Sequence, residues 1–176
     1  GVREIFSGEL ITFGINNEDV DMTAKDINIS EYGTNFVLCS KKESINISSK
    51  LPGYFNVYNM IAAAVVAYSI GFGMEEIKKG LEPFNGVKMR FEVRRCGGVT
   101  LLNDVYNANP SSTEESINEL IRLHQISLQR GNQYKRAIAV LGDMLELGEY
   151  SEKAHKELGR RLSQLPIDIF IGVGPL

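Results

Sequence analysis

Residues 103–115 read Asn-Asp-Val-Tyr-Asn-Ala-Asn-Pro-Ser-Ser-Thr-Glu-Glu, and no other stretch holds so many side chains able to do chemistry. Asp104 offers a carboxylate, Tyr106 a phenol, and Asn107 and Asn109 amides that both donate and accept. Groups of this kind packed into one short loop suit the capture of a small polar ligand. The apolar run Val99-Thr100-Leu101-Leu102 leads in and predicts a strand. Pro110 ends the extended segment, and Ser111 or Ser112, each with a glutamate three residues on (Glu114, Glu115), has the spacing of a capping box. A strand feeding a helix through a polar turn sets side chains and free N–H groups at the strand's carboxyl end, where α/β folds bind ligands. An ordinary polar β–α connection has the same composition, so the spacing leaves both readings open.

Other candidates lie outside this loop. Asn56 and Asn59 are three apart and share the first turn of a predicted helix. Two amides on one face could read the edge of a nucleobase, or Asn56 could be the helix cap. Lys88 and Arg90 sit in a Pro/Gly-marked stretch, Pro83 to Arg90, where cations could reach a phosphate or simply be solvated. Gly142-Asp-Met-Leu-Glu-Leu-Gly-Glu149 follows another strand-like run, so Asp143, Glu146 and Glu149 are either acids of a site or caps of the next helix. Asp19 and Asp21 fit a solvated loop better than a metal site. His124 falls on an apolar helical stripe and reads as packing, and His155 reads as structural or solvated.

The elements that must position these residues divide the chain in two. Residues 1–48 alternate short β-rich runs (Glu9–Phe13, Ala24–Ile29, Asn35–Cys39, Ser44–Ser48) with a hairpin near Tyr32-Gly33. Helices are predicted over Asn56–Ile70 and Met74–Leu81. Beyond the linker come a hairpin (Phe91–Arg95 and Val99–Asn103, turning at Cys96-Gly97-Gly98), a helix near Ser112–Arg130 ended by Gly131-Asn132, and a buried parallel strand at 136–142. A helix over Ser151–Leu165 and a strand at Ile167–Ile171 complete the order. Strand, helix, strand, helix, strand is the doubly wound α/β pattern, and it places 104–109 and 142–149 on one rim.

At 176 residues, 43% hydrophobic and 23% charged, the chain has the make-up of a globular protein with one large or two small domains. A net charge of −3 without a basic cluster gives no reason to expect nucleic acid. The longest apolar run, Met60–Ala67, is far short of a membrane span, and the amino end Gly1-Val-Arg-Glu shows no signal peptide. Two distant cysteines, Cys39 and Cys96, suggest buried thiols in a reducing compartment, the cytoplasm. The chain lacks an initial methionine and ends just after a strand-like run, so a piece of a longer protein is expected.

Asp104-Val-Tyr-Asn-Ala-Asn-Pro together with Gly142-Asp-Met-Leu-Glu-Leu-Gly-Glu resembles the Mur ligases of bacterial cell-wall synthesis. Gly53-Tyr-Phe-Asn-Val-Tyr-Asn-Met-Ile-Ala-Ala-Ala is similar to that family's Gly-x-His-Asn-x-x-Asn-x-x-Ala-Ala segment, and Val87-Lys-Met-Arg-Phe-Glu to its linker. The resemblance covers about residues 9–174. It implies an α/β fold in which residues 1–86 are the β-rich and helical tail of a P-loop ATPase-type central domain. Residues 87–90 would be the linker, and 91–176 the first part of a Rossmann-like parallel-sheet domain for the amine substrate. The implied reaction uses ATP and Mg²⁺ to form an acyl phosphate on a peptide carboxylate, shielded from water, which an amine then attacks. Tyr106-Asn-Ala-Asn-Pro resembles the members that add D-alanyl-D-alanine to UDP-N-acetylmuramoyl-tripeptide.

By that resemblance Asn56 and Asn59 face adenine, Arg90 approaches the ATP phosphates and Asp104 binds the ribose hydroxyls. Tyr106, Asn107 and Asn109 lie near the phosphates and the incoming dipeptide. Phe55 stands where the family usually has histidine. The Gly-x-x-Gly-Lys-[Ser/Thr] phosphate loop is absent, and no residue is assigned to a metal, so the chain alone is expected to be inactive. The competing readings are a cyanophycin- or folylpolyglutamate-synthetase-like ligase, and a non-catalytic α/β module binding a nucleotide or peptide.

Overall fold

Alternation of apolar and polar residues from Met22 to Ser49 folds as period two requires, into strands with one buried face. The computed structural model describes residues 2–131 and 136–176. It separates into residues 1–85 and 86–176.

In the first unit a short helix α1 (Val2–Ile5) precedes four strands: β1 (Phe13–Ile15), β2 (Met22–Ser30), β3 (Gly33–Ser40) and β4 (Ser44–Ser49). They pair in the order β1-β2-β3-β4, with β1 parallel to β2 and the remaining ladders antiparallel. The β2–β3 hairpin closes on the Ser30–Gly33 pair, and a bulge between Lys25 and Asn28 holds Asp26 at φ 51°. Of the span Glu9–Phe13 only Phe13 is in a strand, because Thr12 is engaged instead by the Asp21 carboxylate. Helices α2 (Tyr54–Ser69) and α3 (Met74–Leu81) cover one sheet face. Val57, Ile61 and Ala64 of α2 are fully buried against Ala24, Leu38 and Ile47 of the strands. α3 carries Glu75 and Glu76 in its first turn and Lys78 and Lys79 in its last, which complements the helix dipole.

The second unit opens with the hairpin β5 (Glu92–Cys96) and β6 (Val99–Asn103). Its two-residue turn is Gly97-Gly98, both at positive φ (55° and 79°), as the right-handed strand twist demands of a tight hairpin. Then follow α4 (Pro110–Gln129), β7 (Ile138–Gly142), a 3₁₀ turn at Gly148–Tyr150, α5 (Ser151–Leu162) and β8 (Ile169–Val173). β7 and β8 are parallel, joined through α5. Ile117 and Ile121 of α4 and Leu162 of α5 form the core with Leu141, Leu158, Leu165 and Ile167. Asn132, expected to help end α4, lies outside the described residues; Gly131 donates its N–H to the Leu128 carbonyl at the helix end.

Three expectations are corrected here. β7 is not buried on both faces: Ala139 is, but Ile138 and Val140 are exposed. β6 pairs with β5 and β7 with β8, so among the described residues no hydrogen-bonded sheet puts 104–109 and 142–149 on one rim. Both cysteines are free, but Cys96, near the hairpin turn, is exposed and only Cys39 is half-buried.

Candidate functional site

The hairpin register decides what surrounds Arg90. Cys96 opposes Val99 and Glu92 opposes Asn103. Counting outward one for one, Phe91 comes opposite Asp104 and Met89 opposite Tyr106. The hydrogen bonds follow that count: the Phe91 N–H donates to Asp104 Oδ1 at 2.9 Å, and the Tyr106 N–H to the Met89 carbonyl at 3.1 Å. The Arg90 guanidinium lies 4.1 Å from the centroid of the Tyr106 ring, a cation–π contact. Arg90 of the Pro83–Arg90 stretch and Asp104 and Tyr106 of the 103–115 loop, all expected as site residues, are therefore neighbours. Tyr106 is 61% exposed, so its ring holds the guanidinium at the surface.

Asp104 is half-buried and already carries two donors, Phe91 N–H on Oδ1 and the Ser116 hydroxyl on Oδ2. An ionised carboxylate accepts about four hydrogen bonds, so roughly one acceptor direction per oxygen is left. Glu92 makes a second anchor. Arg94 grips it through Nε and Nη2, each at 3.0 Å, and the Met89 N–H and Asn103 amide also donate to it. The Arg94 contact first, then the Met89 N–H, holds the Glu92 carboxyl below the usual carboxylate range.

Asn109 is the N-cap of α4. Its Oδ1 accepts from the Ser112 N–H at 2.9 Å, and the Ser112 hydroxyl oxygen accepts from the Asn109 N–H at 3.2 Å. This corrects the expected Ser111 or Ser112 cap. Proline is favoured at the first helical position, so Pro110 begins the helix and moves the cap to the residue before it. Glu114, expected in a capping box, instead pairs with Arg161 of α5. Asn107 is exposed, and its Oδ1 accepts from the Ala108 N–H at 3.0 Å.

In the first unit the N-cap of α2 is Gly53, not Asn56. Asn56 is half-buried, and its amide donates to the Pro52 carbonyl at 2.7 Å, which leaves its Oδ1 as an acceptor. Asn59, a turn later, is exposed, and its side chain has no hydrogen-bond partner among the described residues. Gly53 has φ 101°, and a Cβ there would come within 2.7 Å of the Phe55 ring, so the start of α2 is shaped around Phe55.

The loop after β7 is organised by His155. The Met144 N–H donates to its Nε2 at 2.9 Å, which places the proton on Nδ1 for the Ser151 carbonyl at 2.8 Å. Asp143 accepts from the Leu176 N–H, and no side chain caps α5. His124 has a side chain 11% exposed, as packing on the helix face requires.

Sequence reasoning passed over Ser116 and Glu92. Asn109, Ser112 and Ser116 are spaced three and four, one polar face of α4, and that periodicity was the available signal.

Residues 3–67 match the Mur ligase middle domain, and residues 89–176 match the Mur ligase glutamate ligase domain. The chain belongs to the Mur ligase family. This Mur ligase chain is 32% identical over 171 residues to the UDP-N-acetylmuramoyl-tripeptide–D-alanyl-D-alanine ligase of Escherichia coli, covering 97% of the chain and 36% of that protein. The crystal structure of MurF from Acinetobacter baumannii superposes with a TM-score of 0.80 at 32% identity, over 94% of this chain and 34% of that one. MurF ligase from Thermotoga maritima in complex with ADP gives 0.70 at 26% identity, over 91% and 39%. The Mur ligase chain thus spans about a third of the length of the relatives it matches.

Proposed function

We propose that this Mur ligase chain is part of an ATP-dependent ligase that joins D-alanyl-D-alanine to UDP-N-acetylmuramoyl-tripeptide in peptidoglycan precursor synthesis. Residues 1–86 serve as the end of the ATP-binding central domain, 87–90 as the linker and 91–176 as the first part of the amine-substrate domain. The observation that carries the reading is the stacking of Arg90 on Tyr106 beside Asp104, within the Tyr106-Asn-Ala-Asn-Pro loop that resembles the D-alanyl-D-alanine-adding members. The near-complete coverage of this chain by such a ligase supports it.

In the reaction the γ-phosphate of ATP passes to the peptide carboxylate, giving ADP and an acyl phosphate. The amine nitrogen of the dipeptide attacks the acyl carbon, phosphate leaves with the C–O bonding pair, and the ammonium proton goes to solvent or base. Each unit by itself holds groups of the kind that would contact part of a nucleotide. Asn59 offers an unengaged amide and Asn56 an acceptor for an adenine edge. Asp104 keeps an acceptor direction on each oxygen for two neighbouring ribose hydroxyls. Arg90 supplies positive charge for phosphate oxygens. Tyr106, Asn107 and the Asn109 Nδ2 are the loop's groups for the phosphates and the dipeptide. Among the described residues no group of three His, Cys, Asp or Glu could hold a metal, so none is assigned to Mg²⁺.

The test is phosphate release by the whole protein with ATP, the tripeptide nucleotide and a series of amines. Release only when D-alanyl-D-alanine is present is the expected result. Turnover with glutamate or a free diamino acid in its place overturns the assignment. The 176-residue chain, which lacks a Gly-Lys phosphate loop, is expected to release none.

A further inference from the structure

Arg90 stands between two residues in the left-handed region, Met89 at φ 63° and Phe91 at φ 48°. A residue with a Cβ resists that conformation, so surrounding bonds must hold it. The Met89 N–H is bound to Glu92 Oε2 at 3.3 Å, the Met89 carbonyl to the Tyr106 N–H, the Arg90 N–H to the Val87 carbonyl, and the Phe91 N–H to Asp104 Oδ1. Phe91 itself is buried, only 4% exposed, which anchors the turn. Two carboxylates thus brace the backbone on either side of Arg90. Each is braced in turn: Glu92 by Arg94 and Asn103, Asp104 by the Ser116 hydroxyl from α4.

We propose that Ser116 and Glu92 are positioning residues for the nucleotide contacts of Arg90 and Asp104. This rests on the reading of those two residues as nucleotide-binding. Ser116 spends its proton on Asp104 Oδ2, which fixes the plane of the carboxylate. That plane decides whether the two remaining acceptor directions meet a pair of vicinal hydroxyls. Glu92 fixes the Met89 amide and so the direction in which Arg90 leaves the backbone. Both act through another residue.

The test has two linked readouts. Amide exchange by NMR on the 176-residue chain reports the braces directly. Ser116→Ala should speed exchange at Phe91 and Glu92→Ala at Met89, each about tenfold. In the whole protein both substitutions should raise KM for ATP about tenfold while kcat and KM for the dipeptide stay at their unsubstituted values. Ser116→Thr, which keeps the hydroxyl, should restore both readouts. Unchanged KM for ATP in Ser116→Ala and Glu92→Ala overturns the proposal, as does faster exchange without a change in KM. Arg90→Ala and Asp104→Ala separate the causes. If they raise KM for ATP and the brace variants do not, only the positioning proposal falls. If they too leave it unchanged, the nucleotide reading fails and takes this proposal with it. Should Ser116→Ala not fold, Glu92→Ala alone decides.

Discussion

Three donor groups converge on the carboxylate of Asp21: the Thr12 N–H and hydroxyl on Oδ2, both at 2.8 Å, and Lys41 Nζ on Oδ1 at 2.6 Å. Lys41 first, then Thr12, holds this carboxyl far below the usual range for aspartate. A depressed folded-state pKa contributes stability that is present above the unfolded-state value, near 3.9, and disappears as pH falls below it. Asp21→Asn should therefore lower the urea midpoint at pH 7, and the gap to the unsubstituted chain should close as the pH is taken below that value. A gap independent of pH would show that the asparagine variant merely loses packing. Residue chemistry of this kind was only partly legible. Asp21 looked like a solvated loop acid because Thr12 and Lys41 are far from it in sequence. Phe91 and Asp104 are also distant in sequence, but the Gly97-Gly98 turn fixes their pairing, and a count outward from that turn finds it.

Among the elements, α4 carries the loop that matters most, and its start depends on Asn109. Asn109→Ala should cost about 1 kcal/mol in a denaturant titration, the usual loss of a side-chain cap. Asn109→Asp keeps the acceptor and places a negative charge at the helix N-terminus, so stability should be held or raised. If the Asn109 Nδ2 also handles substrate, the aspartate variant separates the two functions: a stable helix with reduced turnover. Helix α2 was legible from its alanine-rich helical periodicity alone, and α3 because periodicity and terminal charges agree at the same boundaries. The α4 cap was not, because two Ser-x-x-Glu spacings advertise a later start while Pro110 imposes an earlier one. The exposure of β7 escaped for another reason: an apolar run shows that a strand can be buried, and only the packing shows on how many faces.

At the scale of the whole molecule, each unit has its own buried cluster, around Leu38 and Ile61 in the first and around Ile117 and Leu162 in the second. The second unit leaves Val140 59% exposed, with Ile171 and Val173, on the same face of the parallel strand pair, exposed beside it. Contiguous apolar surface of this kind drives association. The 176-residue chain should therefore show concentration-dependent light scattering, which Val140→Lys combined with Ile171→Lys should reduce; scattering that ignores both substitutions would place the sticky surface elsewhere. The chain has seven tyrosines and no tryptophan. The contact between Arg90 and the Tyr106 ring then has a practical consequence. In the 176-residue chain Tyr106→Trp would put a single indole beneath the guanidinium, with no other tryptophan in that chain to emit when excited at the red edge of the indole band. If a nucleotide engages Arg90 as proposed, that emission should shift on its addition, so the aromatic seat of this arginine would double as an optical gauge of its occupancy.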